Sequence, residues 1–277
     1  MTLRAEFYYD ANVSGAELVF ELGDGPRYRG IYLVPGYRDD TNKEFWRNIS
    51  SVRCVTDGQA GLVYGFTGSH FDGSYYNLTA GPQRVAWDDW VGAAFNDQFE
   101  SLLLVHHDDH ALELDPNGLL PNLIDASLNA QLKGQGVTLN RPSWLSVSMF
   151  PYFDVSRVFL TVGVSLELEP IWEDWYHVLF YWHLIPQLQD GRITFEYEAS
   201  TFLVDDGLAH DGIVNNLIKP LEAGGPNLAA QVSQLFGRTD YTSVYLLPGG
   251  LPNKDTGVGT GTTVETCTIV TSYRAEP

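Results

Sequence analysis

The chain has 277 residues, with 35 Asp and Glu against 16 Lys and Arg, and a formal net charge of -19. The length predicts two domains, each large enough to bury a core of its own. So negative a chain offers no basic surface to displace counterions from a polyanion, which argues against nucleic acid and anionic membranes as partners. The acidity itself fits either solubility or cation binding.

Targeting and cysteine signals are sparse. Residues 1–10 hold no apolar run of signal-peptide length, and no later stretch approaches the roughly 18 consecutive apolar residues of a membrane span. We therefore expect a cytoplasmic protein without a membrane span. Cys54 and Cys267 are too few for a disulfide framework or a zinc site, and both are predicted to be small buried side chains.

Residues 1–105 contain an internal repeat. Tyr8 is followed after six residues by Gly15, and Phe66 is followed after six residues by Gly73, so the same spacing recurs 58 residues later. Glycine allows a hairpin to turn sharply with positive φ. Because a hairpin cannot bury its apolar face alone, the two units are expected to pair as a sandwich.

The repeat resembles the βγ-crystallin superfamily, whose Greek-key motif carries an aromatic-x6-Gly signature and a later serine. The matching serine-containing segments are WRNISSVRC at 46–54 and FNDQFESLLLV at 95–105. The resemblance covers residues 5–105 and implies an all-β double Greek-key sandwich in a first domain, 1–108. It also implies a non-catalytic structural, storage or stress-related role, as in non-lens crystallins.

The resemblance further implies calcium. Microbial members of the family bind this ion through an N/D-N/D-x-x-S/T-S motif in each repeat, and calcium prefers such oxygen ligands. In the second repeat the motif aligns with residues 96–101, where Glu100 replaces the hydroxyl. The family pattern then combines Asn96 and Asp97 with Ser50 of the other repeat and with the hairpin near Thr67 in one site.

The second family site is predicted to be degraded. It combines Trp46 and Arg47 with Glu100 and with the hairpin near Tyr9 and Asp10. A guanidinium at a ligand position repels a cation, so this site is expected to be lost. Arg47 and Glu100 are candidates to pair with each other in place of the ion.

Two polar clusters can each be explained either by metal binding or by local structure alone. The Asn96-Asp97 pair is explained either by calcium binding or by turn chemistry alone. The run at 106–110, HHDDH, contains side chains that suit zinc or nickel, but neighbouring side chains on an extended chain point in different directions. A solvated linker between two domains is the favoured interpretation of this run.

Residues 109–277 predict a second, α+β domain, with an antiparallel sheet and helices on one face. Apolar periodicity of 3.6 or 2 residues marks its elements. They are helices at 123–134, 207–218 and 226–236 and strands at 158–168, 193–203, 242–247 and 263–273. Pro220 and the run 224–226 (GGP) are expected to separate the last two helices, and the glycine-rich stretch 248–262 is expected to be a connection.

This second domain leaves a different function open. Amphipathic helices on long strands can enclose a cavity, which makes a carrier of a lipid or another hydrophobic ligand the alternative to a packed core. The aromatic run from Trp172 to Trp182 suits a sugar or lipid site, a sheet core or an interface. Acid pairs such as Glu173-Asp174 and Glu196/Glu198 accompany no known catalytic motif, so no catalytic or cofactor-binding residue is assigned.

Overall fold

The computed structural model describes residues 2–39, 42–69, 71–108, 112–114, 117–148, 158–171, 174–204, 210–250, 257–262 and 266–274. These residues form mostly antiparallel β-sheet with few helices, as the sequence predicts. Contacts divide the chain into two compact units. Unit 1 holds 1–111, 148–158 and 248–264, and unit 2 holds 112–147, 159–247 and 265–277.

The elements follow one another in a simple order. Eight strands come first: β1 Thr2–Asp10, β2 Ser14–Leu22, β3 Tyr28–Tyr32, β4 Ser51–Asp57, β5 Ala60–Phe66, β6 Ser74–Ala80, β7 Val85–Asp88 and β8 Ser101–His107. Next come β9 Leu112–Leu114, α1 Leu119–Leu132, β10 Val137–Ser148, β11 Phe159–Ile171, β12 Asp174–Gln189 and β13 Arg192–Val204. The chain continues with α2 His210–Ile213, a π-helical turn Val214–Ile218, α3 Lys219–Ser233, β14 Tyr241–Pro248, β15 Val258–Thr262 and β16 Cys267–Tyr273.

Unit 1 contains two sheets. Sheet 1 has the order β2-β1-β4-β7, and sheet 2 has the order β15-β6-β5-β8-β3. Each repeat therefore places its first, second and fourth strands in one sheet and its third strand in the other. On β1 the side chains of Leu3, Ala5 and Phe7 are buried in a cluster shared by strands of both sheets. Strand alternation thus builds one core from both repeats.

The outer faces of the two sheets differ. On sheet 1 the outward side of β1 carries polar residues, as expected for a sheet with one solvated face. By contrast, β5 (AGLVYGF) and β8 (SLLLVHH) are buried at every position. Their continuous apolar runs are typical of strands covered on both faces.

An added strand lies at the edge of sheet 2. The sequence predicts 248–262 to be a connection, but residues 258–262 form β15, antiparallel to β6 from Val258↔Leu78 to Thr262↔Ser74. The Tyr75 ring packs so closely against this segment that a Cβ on Gly249 or Gly261 would lie 2.1 or 2.8 Å from it. Glycine therefore permits the close approach.

Unit 2 has a four-stranded sheet, β10-β11-β12-β13, and a three-stranded sheet, β14-β16-β9. Helices α1 and α3 both lie against Trp182 of β12. The Trp182 indole donates a hydrogen bond of 2.9 Å to the Leu221 carbonyl oxygen. Val162 and Phe180, on the same face of the sheet as Trp182, are fully buried.

The predicted break between the last two helices is wrong. The π-helical turn Val214–Ile218 leads directly into α3, whose second residue is Pro220, and α3 continues through Pro226. Gly225 is required for packing, since a Cβ there would meet the Tyr197 ring at 2.5 Å. Tertiary contact therefore outweighs the local helix-breaking signal.

The structure also tests the predictions for the cysteines, for individual strands and helices, and for membrane spans. Cys54 and Cys267 are both buried, as predicted. The strands predicted at 158–168 and 193–203 correspond to β11 and β13, and α1 ends before Gly134, which has a φ of 78°. Most of the aromatic run lies on β12, while Trp172 and Glu173 fall outside the described residues. Across the described ranges, no helix has the length and apolar character that a membrane crossing needs.

Candidate calcium site

The two repeats of unit 1 clasp each other through equivalent backbone hydrogen bonds. The Arg47 N–H donates to the Phe99 carbonyl oxygen at 3.1 Å, and the Asp97 N–H donates to the Ile49 carbonyl oxygen at 3.1 Å. Arg47 and Asp97 stand 50 positions apart and have φ values of 53° and 56°. The same local backbone thus presents a cation in one repeat and an acid in the other.

A buried serine fastens the hairpin of each repeat. The Ser51 hydroxyl donates to the Asp10 carbonyl oxygen at 2.7 Å and accepts a backbone N–H of the same hairpin at 3.1 Å. The Ser101 hydroxyl donates to the Gly68 carbonyl oxygen at 2.5 Å and accepts the Phe71 N–H at 3.1 Å. Both hydroxyls satisfy backbone groups that a sharp hairpin leaves unpaired.

Asn96, Asp97 and Ser50 come together as the family pattern implies. The Asn96 amide donates to an Asp97 carboxylate oxygen at 2.8 Å. Burial raises the pKa of Asp97, and hydrogen bonding from Ser50 and Asn96 offsets that rise only in part. Two oxygen-bearing side chains, Asn96 and Ser50, therefore neighbour a carboxylate whose charge the protein compensates only in part.

Thr67 lies at the other hairpin. Its hydroxyl accepts the Ser74 N–H at 3.0 Å, and the preceding carbonyl oxygen, that of Phe66, accepts the Glu100 N–H at 2.8 Å. These contacts place Thr67 beside Glu100. Within the described residues no contact joins Thr67 to Asp97.

Asp10 belongs to the hairpin next to Ser50. The Ser50 N–H donates to the Tyr8 carbonyl oxygen at 2.9 Å, and Ser51 is bonded to the Asp10 carbonyl oxygen. Hydrogen bonds therefore connect the Ser50 segment to carbonyl groups of the first hairpin. The sequence offers no signal for this choice, because both hairpins match the repeat equally well.

At the second predicted calcium site, Arg47 and Glu100 form an ion pair. The Arg47 Nε donates to the Glu100 carboxylate at 2.7 Å, and a terminal guanidinium nitrogen donates to the same oxygen. Arg47 also lies over the Trp46 ring, 5.0 Å from its centroid. The pairing that the sequence predicts as a replacement for the ion is confirmed.

The histidine-rich run differs from the predicted solvated linker. His106 and His107 end β8 and are buried, and the His106 Nε2 lies 3.2 Å from the Gly23 carbonyl oxygen. Asp109 and His110 fall outside the described residues. Among the residues that are described, no three His, Cys, Asp or Glu side chains gather closely enough to hold a metal ion.

Unit 2 has a small groove between α1 and α3. Ile124 and Leu128 of α1 and Leu221 and Leu228 of α3 line it above Trp182, together with amide side chains. Its volume is about 90 Å³.

Comparisons with family models, curated proteins and solved structures find no match for this chain. Function is therefore inferred from the residues and their geometry.

Proposed function

We propose that unit 1 is a crystallin-type double Greek-key domain and that the protein is a non-catalytic structural or stress-related protein of the cell interior, which binds one calcium ion. The reciprocal clasp between the repeats supports the first part. The family's serine recurs in both repeats at Ser51 and Ser101, with the same two hydrogen bonds. A clasp of this kind serves stability, which suits a structural role.

The arrangement around Asp97 is the observation that carries the calcium proposal. Asn96, Asp97 and Ser50 supply side-chain oxygens, and carbonyl groups of the hairpin at Tyr8–Asp10 lie next to Ser50. Calcium takes six to eight oxygens, so water completes the shell. With a single carboxylate, the site binds more weakly than the acid-rich loops of calcium sensors.

Calorimetric titration of the full chain with calcium chloride tests this proposal. One ion per chain is expected, together with a rise in melting temperature, because a ligand that binds only the folded state stabilises it. Asp97→Ala, which removes the side-chain oxygens altogether, should abolish both effects. Glu100→Gln is the matched control, because it removes a carboxylate from the second predicted site, where Glu100 pairs with Arg47. This variant should retain both effects. Calcium binding would be refuted if the wild-type chain showed neither a heat of binding nor a shift in melting temperature.

A carrier function has weaker support. The groove above Trp182 has a volume of about 90 Å³, far below the roughly 300–1,000 Å³ typical of ligand pockets. Native mass spectrometry of protein purified from its source tests directly whether a hydrophobic ligand is bound. A stoichiometric co-purifying lipid would place the carrier function first.

A further inference from the structure

The outer face of sheet 1 carries a row of unlike side chains. Trp87 of β7 is the cross-strand partner of Arg53 on β4, and Arg53 is the partner of Glu6 on β1. Directly opposed residues in a sheet lie on the same face, so the indole, guanidinium and carboxylate are neighbours in that order. This face is opposite the one that packs on the unit 1 core.

Glu6 is fixed within this row by three donors. Its carboxylate accepts hydrogen bonds from the Arg4 Nε at 2.8 Å, the Tyr8 hydroxyl at 2.7 Å and an Arg53 terminal nitrogen at 3.0 Å. These side chains cover it so well that Glu6 is only 4% exposed. Burial favours the neutral acid, but hydrogen bonds from Tyr8 and Arg4 and the charge of Arg53 lower the pKa of Glu6 overall.

The two arginines keep donors for another partner. A guanidinium has five N–H groups in a rigid plane, and Arg53 uses one of them on Glu6. The Arg4 and Arg53 side chains are 42% and 40% exposed. The buried Glu6 carboxylate therefore holds two guanidinium groups in place, and these remain accessible to solvent.

Two tryptophans, Trp87 in this row and Trp90 just after the end of β7, are exposed and unstacked. Trp87 is 59% exposed and Trp90 is 53% exposed. Within the described residues neither indole contacts another ring or a cation. Other described tryptophans have such partners: Arg47 for Trp46, Arg141 for Trp144 and Phe180 for Trp182. Trp87 and Trp90 thus leave large apolar ring faces in water.

We propose that the outer face of sheet 1 at Trp87 and Arg53, with Trp90 three residues further along the chain, binds a neutral saccharide. A sugar ring has an apolar C–H face that stacks on an indole and hydroxyls that pair with the guanidinium N–H groups that Glu6 does not use. The guanidinium charge of Arg53 is compensated by Glu6, and the net charge of -19 disfavours acidic polymers.

Native affinity electrophoresis of the full chain through gels that contain laminarin, glycogen or galactomannan tests the proposal. We expect retardation in at least one gel, with a titrated affinity that Trp87→Ala reduces tenfold or more. Arg53→Lys should weaken binding several-fold, since an ammonium cannot reproduce the planar donor pair. Leu203→Ala, which changes a side chain 65% exposed in unit 2, is the control and should bind normally.

Trp90→Ala gives a second variant in case Trp87→Ala alters the fold, which circular dichroism detects. Unretarded wild-type protein in all three gels would overturn the saccharide site. Undiminished binding by folded Trp87→Ala and Trp90→Ala would do the same. Light scattering provides the last check, because a wild-type dimer that Trp87→Ala dissociates, without any saccharide binding, would assign the surface to self-association.

Discussion

At the scale of single residues, Asp97 and Arg47 occupy equivalent turns and give them opposite charge. The Arg47 guanidinium takes the place of a cation beside Glu100, whereas the Asp97 carboxylate has only neutral neighbours in its cluster. If this exchange of charge is the reason why only one calcium ion is proposed, Arg47→Asp should raise the stoichiometry of calcium binding to two, measured by calorimetric titration. Arg84→Asp adds the same charge elsewhere in unit 1, and a second ion in that variant as well would contradict the explanation.

The buried serines of the hairpins provide a second residue-scale prediction. Ser101→Ala leaves the Gly68 carbonyl and the Phe71 N–H without their partner, and unsatisfied buried groups cost about 1–3 kcal/mol. Urea unfolding should show a loss of that size. Ser14→Ala removes an exposed hydroxyl that donates to the Ala11 carbonyl oxygen and should cost less than about 1 kcal/mol. Equal losses for the two variants would contradict the role of burial.

A buried histidine in unit 2 makes stability depend on pH. The His183 ring lies between the Thr161 and Thr201 hydroxyls, 3.0 Å from the first and 2.9 Å from the second, and burial lowers its pKa to about 4. An unfolded chain takes up this proton below about pH 6.5, while the folded chain does not. The free energy of unfolding should therefore fall as the pH drops from about 6.5 to 4, by up to about 3 kcal/mol.

His183→Gln removes this titration and should flatten the fall, as measured by chemical denaturation at a series of pH values. His177→Gln, at a half-buried position on the same strand, serves as the control. A wild-type pH profile that His183→Gln leaves unchanged would show that other groups cause the acid sensitivity.

At the scale of elements, the fit of β15 against Tyr75 is testable. Gly261→Ala places a Cβ 2.8 Å from the Tyr75 ring, so ring or strand must shift, and overpacking of this kind costs about 1–3 kcal/mol. The loss should appear in the free energy of unfolding. Gly23→Ala, where a Cβ meets nothing within 4 Å, should cost much less. A Gly261→Ala variant as stable as the wild type would mean that β15 is loosely held.

Elements with clean periodicity could be predicted from the sequence, and others could not. In β13 apolar and polar residues alternate, in β11 every second residue is apolar, and in α1 the apolar residues recur at helical spacing. The sequence does not mark β12, because its aromatic run is apolar on both faces and shows no period. β15 reads VGTGT, which has no strand signal, and it forms because the β6 edge supplies backbone partners.

The candidate site was predictable to a similar degree. The repeat and its motif identify Asn96, Asp97 and Ser50, and the structure groups them. The choice of hairpin was not predictable, since it depends on how the two repeats face each other. Local sequence carries no information on that arrangement.

At the scale of the whole molecule, the distribution of burial separates two kinds of surface on unit 1. The outer face of sheet 1 carries charged groups, while β5 and β8 of sheet 2 are buried throughout. A single count of charge or hydropathy averages over this difference. The continuous apolar runs of β5 and β8 are the sequence signal that marks the covered face.

The position of β15 in the chain also has a consequence for biosynthesis. Val258 follows Ala80, the last residue of its partner β6, by 178 residues. At a synthesis rate of about 5–20 residues per second, the β6 edge leaves the ribosome roughly 10–40 seconds before the strand that covers it. During that interval the nascent chain exposes an unpaired edge strand, which is a template for aggregation. Dependence on chaperones should therefore be greatest while the chain is still unfinished.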